Sequence, residues 1–148
     1  MDKTFIRVRS ITDIVISATL IVLGGVLIAL PTTASVNITG FLMIIAGIIL
    51  SLFLKTGYRD QETGENYLKK EHYFQHAMNA QVASAIASKP ESLDLPAESH
   101  GNSMRLDVYF NKSAKKAYIQ LHEYIPYKYE PCSKMYEYEI DRVNKLIR

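Results

Sequence analysis

The chain has 148 residues, a formal net charge of +2 and one cysteine. That length allows one ordinary domain, or a membrane segment with a smaller domain beside it. The near-neutral balance excludes a dedicated nucleic-acid surface, which needs clustered positive charge, and a lone Cys132 excludes an internal disulfide, in keeping with a reducing compartment.

Composition divides the chain in two. No ionisable side chain lies between Ile14 and Leu54, whereas all ten tyrosines lie beyond Lys55. A helix rises 1.5 Å per residue, so a hydrocarbon core of about 30 Å takes about 20 residues. Residues 14–30 and 38–54 each approach that length, and one span covering both would be about twice too long. Between them Pro31 lacks an N–H, and Thr32, Thr33, Ser35 and Asn37 compete for backbone hydrogen bonds, so the chain turns across 31–37. With their flanks the predicted spans are about 11–30 and 38–55. A basic start, an apolar run and the small residues ending at Ala34 also resemble a signal peptide, but the run exceeds the usual core and a second follows at once.

Lys3, Arg7 and Arg9 precede the first span, and Lys55, Arg59, Lys69 and Lys70 follow the second. Because Lys and Arg are retained on the cytoplasmic side, both termini are expected in the cytoplasm of a multi-pass cell-membrane protein. Ser10-Ile11-Thr12-Asp13 has capping-box form, which makes Asp13 a helix cap at the interface rather than an intramembrane proton carrier. Asn37-Ile38-Thr39 matches a glycosylation pattern but abuts the membrane, and reads as the start of the second helix with Asn37 as its cap.

Helices in lipid associate through close contact between small residues. Ala18, Gly25 and Ala29 in the first span, and Gly40, Gly47 and Ser51 in the second, repeat intervals of seven and four, which keeps each trio on one helix face. The expectation is an antiparallel transmembrane hairpin, with Ala29 meeting Gly40 near the turn and Ala18 meeting Ser51 near the cytoplasm. Gly24, just off the first trio, is available for a second contact.

After the spans, 56–65 is polar and reads as a linker. From Asn66 to about Ser88 the steps Tyr67, Phe74, Met78, Val82 and Ala85 or Ile86 predict a helix, stopped by Pro90. Residues 89–103, with two prolines and a glycine, read as a flexible connector. Beyond it the period becomes two: Leu106, Val108 and Phe110, then Ala117, Ile119 and Leu121, form the apolar face of a hairpin. "YEYEI" (136–140) offers a third strand, with Asp141 capping a final helical turn. A helix from Lys134 onward fits the same residues less well, because two strands alone are marginal. The fold class is therefore a two-helix transmembrane hairpin followed by a small α+β cytoplasmic domain, one helix on a three-stranded antiparallel meander.

Candidate chemistry is sparse. His72 and His76 would share a face of the predicted helix and bind a metal with Glu71 or His100, yet that face is solvated, and no metal or cofactor is expected. Cys132 and Ser99-His100 lack the neighbours that activate a nucleophile, and no catalytic residue is assigned. Tyr118, Tyr124, Tyr127 and Tyr129 suit a partner-binding face, since tyrosine joins an apolar ring to a polar tip. Lys112, Lys115 and Lys116 form a soluble hairpin tip, or contact anionic headgroups if that tip faces the membrane. The expected function is a non-enzymatic, membrane-anchored interaction or self-assembly module. Its partners are the lipid bilayer and either a homo-oligomer or another membrane or cytoplasmic protein, with no nucleic acid. The alternatives are an oligomeric pore or holin-like protein, and a metal-responsive protein using His72 and His76.

Overall fold

The computed structural model describes residues 3–95 and 103–148. His100, considered as a metal ligand, and Ser99 lie outside them. The chain divides into two compact units, Arg7–Gly57 and Met1–Ile6 with Tyr58–Arg148.

The first unit is the hairpin of α1 (Ile11–Ala29) and α2 (Ala34–Leu52). The Ser10 hydroxyl accepts the Asp13 N–H at 3.3 Å, as a capping residue should. The Asp13 carboxylate in turn accepts the Lys55 N–H at 3.1 Å, while the Ser10 N–H donates to the Lys55 carbonyl at 2.9 Å. The two open ends of the hairpin are thereby tied together. Pro31 follows the C-cap Leu30 and stops α1. The turn is tighter than the sequence suggested, because α2 already starts at Ala34 with Thr33 as its N-cap. Asn37 consequently sits inside the first turn of α2 and accepts a bond from the Thr32 hydroxyl at 3.3 Å instead of capping the helix.

Of the six packing residues expected, Gly40 and Gly47 are buried against α1. Their counterparts are Ser17 and Gly24, one position before the predicted Ala18 and Gly25, and Ala18, Ala29 and Ser51 are exposed. Both pairs offer small residues seven apart, but only Ser17 has a hydroxyl, which donates to the Gly47 carbonyl at 2.7 Å. A Cβ on Gly24 would lie 2.5 Å from the Gly40 carbonyl oxygen, and one on Gly40 2.7 Å from that of Gly24. The backbones thus touch where only glycine permits it. The large side chains point the other way: Ile11, Val15, Val22, Phe41, Leu42 and Leu52 are all exposed.

The second unit is built on an antiparallel sheet of β1 (Phe5–Arg9, of which Phe5 and Ile6 fall in this unit), β2 (Thr56–Asp60, in this unit from Tyr58), β3 (Asn66–Phe74), β4 (Met104–Asn111), β5 (Lys116–Ile125), β6 (Lys128–Pro131) and β7 (Tyr136–Glu139). Strands follow one another in order from β1 to β6, and β7 also pairs with β5. β6 and β7 therefore share one edge of β5 end to end, opposite Tyr124 and Tyr118 respectively. The gap is patched by Ser133, whose hydroxyl accepts the Leu121 N–H at 3.0 Å, and by the Cys132 N–H donating to the Leu121 carbonyl at 2.9 Å.

Several expectations change here. The predicted linker 56–65 is β2 and a turn in which Gly64 has φ +72°, a conformation open to glycine. The predicted helix 66–88 is strand over Asn66–Phe74, and only Asn79–Ser88 is helical (α3). The meander grows from three strands to seven. The first part of the predicted connector is also ordered, since Pro90–Ser92 makes a 3-10 turn and Leu93 is buried in the core. The third strand stands as β7 on β5. The chain then closes with a 3-10 turn, Ile140–Val143, and α4 (Asn144–Ile147), with Glu139 rather than Asp141 at the N-cap.

One sheet face forms the apolar core. Phe74, Met104, Leu106, Val108, Ile119 and Leu121 pack with Val82 and Ile86 of α3, and with Val143 and Leu146 near the C-terminus. Polar bonds lock this layer. His72 Nε2 lies 2.6 Å from the Leu146 carbonyl, and the Tyr138 hydroxyl donates to the Ile86 carbonyl at 2.7 Å.

Candidate functional site

The opposite sheet face is not a solvated surface. Side chains alternate along a strand, so Tyr67, Lys69, Glu71 and Tyr73 of β3 line up with Arg105, Asp107 and Tyr109 of β4, and these with Tyr118, Gln120 and His122 of β5. Asp107 is at its centre, with a side chain only 1% exposed, 2.9 Å from Lys69 Nζ and 2.7 Å from Arg105 Nε. Lys69 also reaches Glu71 at 2.6 Å, and the Tyr73 hydroxyl donates to Glu71 at 2.5 Å. Charge is balanced across the four ions, which is the condition for burying them.

The electrostatics follow from this arrangement. Burial disfavours the Lys69 ammonium, but Asp107 and Glu71 outweigh it and hold its pKa above the ordinary lysine value. Burial likewise opposes ionisation of Glu71, yet the bonds from Lys69 and Tyr73 keep its pKa below the usual carboxylate value. The Tyr73 hydroxyl is pushed up to about 12 by burial and by Glu71. His122 is held below its ordinary value, chiefly by burial and against the pull of Asp107 3.6 Å away. Cys132 is exposed, and desolvation and Glu123 raise its thiol pKa, the opposite of the lowered value that an activated catalytic thiol needs.

Aromatic rings cover the ions. Phe5 of β1 stacks on Tyr109 at 4.3 Å with rings 9° apart and meets Tyr67 edge-on at 5.2 Å. Lys69 sits 5.5 Å from the ring centres of both Tyr58 and Tyr109, and Arg105 lies 4.6 Å from that of Tyr129. Lys3 anchors the strand that carries Phe5: it pairs with the fully buried Asp60 at 2.5 Å, and its bond to that carboxylate raises its pKa. Beside Phe5 opens a cleft of about 560 Å³ lined by Lys3, Tyr109, Gln120, Ser133, Lys134 and Met135, a volume ordinary for a ligand site. A neighbouring hollow of about 330 Å³ shares Lys3 and Met135 and adds Glu62, Tyr118 and Glu137.

The predicted partner-binding tyrosines separate. Tyr118 is 3% exposed and packs on Tyr67 and Phe5, so its ring is largely interior, although it lines the hollow beside Lys3 and Met135. Tyr129 is half-buried against Tyr124, Tyr73 and Arg105. Tyr124 and Tyr127 are exposed, Tyr127 by 96%. His72 and His76 do not share a helix face: His72 is buried in β3, and His76 begins the exposed 3-10 turn before α3, 3.4 Å from Glu123. Among the described residues no three His, Cys, Asp or Glu side chains are grouped to hold a metal ion.

Sequence reasoning missed Lys3, Phe5, Lys69, Asp107 and Tyr109. A signal was present, because Tyr67, Tyr73, Tyr109 and Tyr118 all fall on the outward register of their strands, which is too aromatic for a plain solvated face. No family model, curated protein or solved structure matches the chain.

Proposed function

We propose that this chain is a two-pass membrane protein with both termini in the cytoplasm, whose α+β domain is a non-enzymatic module binding another protein or a second copy of itself. The observation that carries the membrane reading is the inverted packing of α1 and α2. Glycines and Ser17 face inward, while each 19-residue helix leaves most of its apolar side chains exposed. Water would penalise that surface by about 25 cal/mol per Å², whereas lipid would not. The cationic flanks of both helices favour cytoplasmic ends. For the binding role, support comes from the cleft beside Phe5 and from the exposed Tyr124 and Tyr127.

Cys132 provides a native test, being the sole cysteine and exposed. An impermeant maleimide should label it only after cells are permeabilised, and labelling of intact cells refutes the topology. Mass determination of the detergent-purified chain addresses the binding role. The expected result is a complex heavier than one copy, and a lone monomer with nothing co-purifying refutes it.

A further inference from the structure

We propose that the cleft beside Phe5 takes an extended acidic segment of a partner protein, which adds to the free edge of β1 as one more strand; this rests on the protein-binding role proposed above and names the chemistry of the partner. The cleft faces a strand edge. Side chains alternate between the two faces of a strand, yet Lys3, Thr4 and Phe5 all line it, so it runs along the margin of the chain there rather than over one face. Thr4 is tied to the sheet, since its carbonyl accepts the Gln61 N–H at 3.1 Å. Backbone groups of successive residues in an antiparallel strand point alternately to its two sides, so those of Lys3 and Phe5 turn outward. β1 ends the strand order, and among the described residues no backbone group is bonded on that outer side.

The rest of the cleft selects the occupant. β1 and the link from β6 to β7 stand at opposite ends of the strand order, yet Phe5, Ser133, Lys134 and Met135 line one cleft, so the sheet rolls into an open barrel and the cleft is the gap between its margins. The Cys132 N–H and the Ser133 and Lys134 carbonyls are already bonded within the chain, at 2.9, 3.3 and 2.9 Å. β1 therefore supplies the main-chain bonds and the link supplies side chains, the division found where a peptide adds to a sheet edge. Three residues of margin span roughly 10 Å, enough for a short strand. Lys3 and Lys134 are the charged residues of the cleft, and no carboxylate lines it. Lys3 is held by Asp60 at 2.5 Å. Lys134 is exposed, 5.2 Å from the Tyr136 ring centre, with no carboxylate partner among the described residues. An acidic side chain set there gains a charge partner and displaces none. Beyond Lys3 and Met135 the smaller hollow carries Glu62 and Glu137, which repel such a segment and confine it to the larger cleft. A second copy offering its own β1 fits poorly, because Lys3, Arg7 and Arg9 would bring like charges together across the pair.

The test uses the full chain in mild-detergent micelles and an array of heptapeptides of random sequence. Retained peptides should hold Asp and Glu at about three times the array average, and Lys and Arg below it. Methylating alternate backbone nitrogens of the best peptide, on the register that blocks strand pairing, should weaken it about tenfold. Lys134→Glu should weaken it about fivefold and shift selection on the array toward basic peptides, with an unchanged melting temperature showing that the variant folds. With Cys132→Ser and a fluorophore at Met135→Cys, the bound peptide should shield the label from aqueous iodide, whereas a label at Lys112→Cys stays open. Retained peptides without acidic excess, indifference to Lys134→Glu or to backbone methylation, or an unshielded label at position 135 each overturn the inference. An empty array overturns it as well. A complex heavier than one copy in the mass determination then leaves the protein-binding role standing on another surface or on a second copy of this chain, and a lone monomer removes both.

Discussion

Gly24 and Gly25 are adjacent in sequence, yet the hairpin makes opposite demands on them. A methyl added at Gly24 would sit 2.5 Å from the Gly40 carbonyl oxygen and 2.8 Å from Ile44 Cγ1, whereas one added at Gly25 would meet nothing within 4 Å. The first contact is backbone, so the helices must separate by several tenths of an ångström along the whole seam, at an overpacking cost of about 1–3 kcal/mol. Alanine recovers up to about 1 kcal/mol of helix propensity at either position. Gly24→Ala should therefore destabilise the hairpin by about 1–2 kcal/mol, and Gly25→Ala should leave it unchanged or stabilise it by up to about 1 kcal/mol. The assay is unfolding of the full chain by dodecyl sulfate added to mild-detergent micelles, followed by energy transfer between labels on α1 and α2. If Gly25→Ala proves the more damaging, the seam runs through Ala18 and Gly25 and the packing described above is wrong.

Asp107→Asn should lower the stability of the sheet domain by about 3 kcal/mol, because Lys69 and Arg105 lose their shared counter-ion in a buried setting; denaturant unfolding read by tyrosine fluorescence checks it, and no change would mean that the network contributes nothing. His122 is kept neutral by burial, below its ordinary 6.5. Its contribution is complete above that value and is lost as pH falls through it, since the unfolded chain takes up a proton that the folded one resists. Glu71 and Asp60, held by their lysine partners below 4.5 and 3.8, extend the loss to lower pH. The melting temperature should drop between about pH 7 and 5.5, and His122→Gln should flatten that interval while preserving the fall below about pH 4.5; an unaltered slope excludes His122 as its source. Tyr127→Gly should raise the melting temperature in detergent, because Tyr127 holds φ +74° and a side chain in that left-handed region costs about 1–2 kcal/mol, only part of which is returned as glycine entropy. A lower melting temperature would show that the ring makes stabilising contacts.

The helical hairpin was legible because an uninterrupted apolar run with one proline leaves little choice of structure. Its rotation was not: Ala18 with Gly25 and Ser17 with Gly24 are equally small, and what separates them is a bond from Ser17 to a carbonyl thirty residues away. β7 was legible through alternation in "YEYE". β3 was not, because Lys69 and Glu71 look like surface residues until Asp107 and Arg105 of the next strand neutralise them, and only the apolar steps from Val82 to Ile86 lie in the α-helix. Binary patterning fails wherever the inside of a sheet is ionic. Phe5 and Lys3 were hidden for another reason: they precede the hairpin in sequence and act on residues far beyond it.

The break at residues 132–135 leaves the outer margin of β5 filled by two four-residue strands that do not join. An uninterrupted row of unpaired N–H and C=O groups on that side would recruit any extended chain nearby. The Ser133 hydroxyl occupies the interval, so the Leu121 N–H exposed by the break is satisfied within the chain and is not offered to a neighbouring strand.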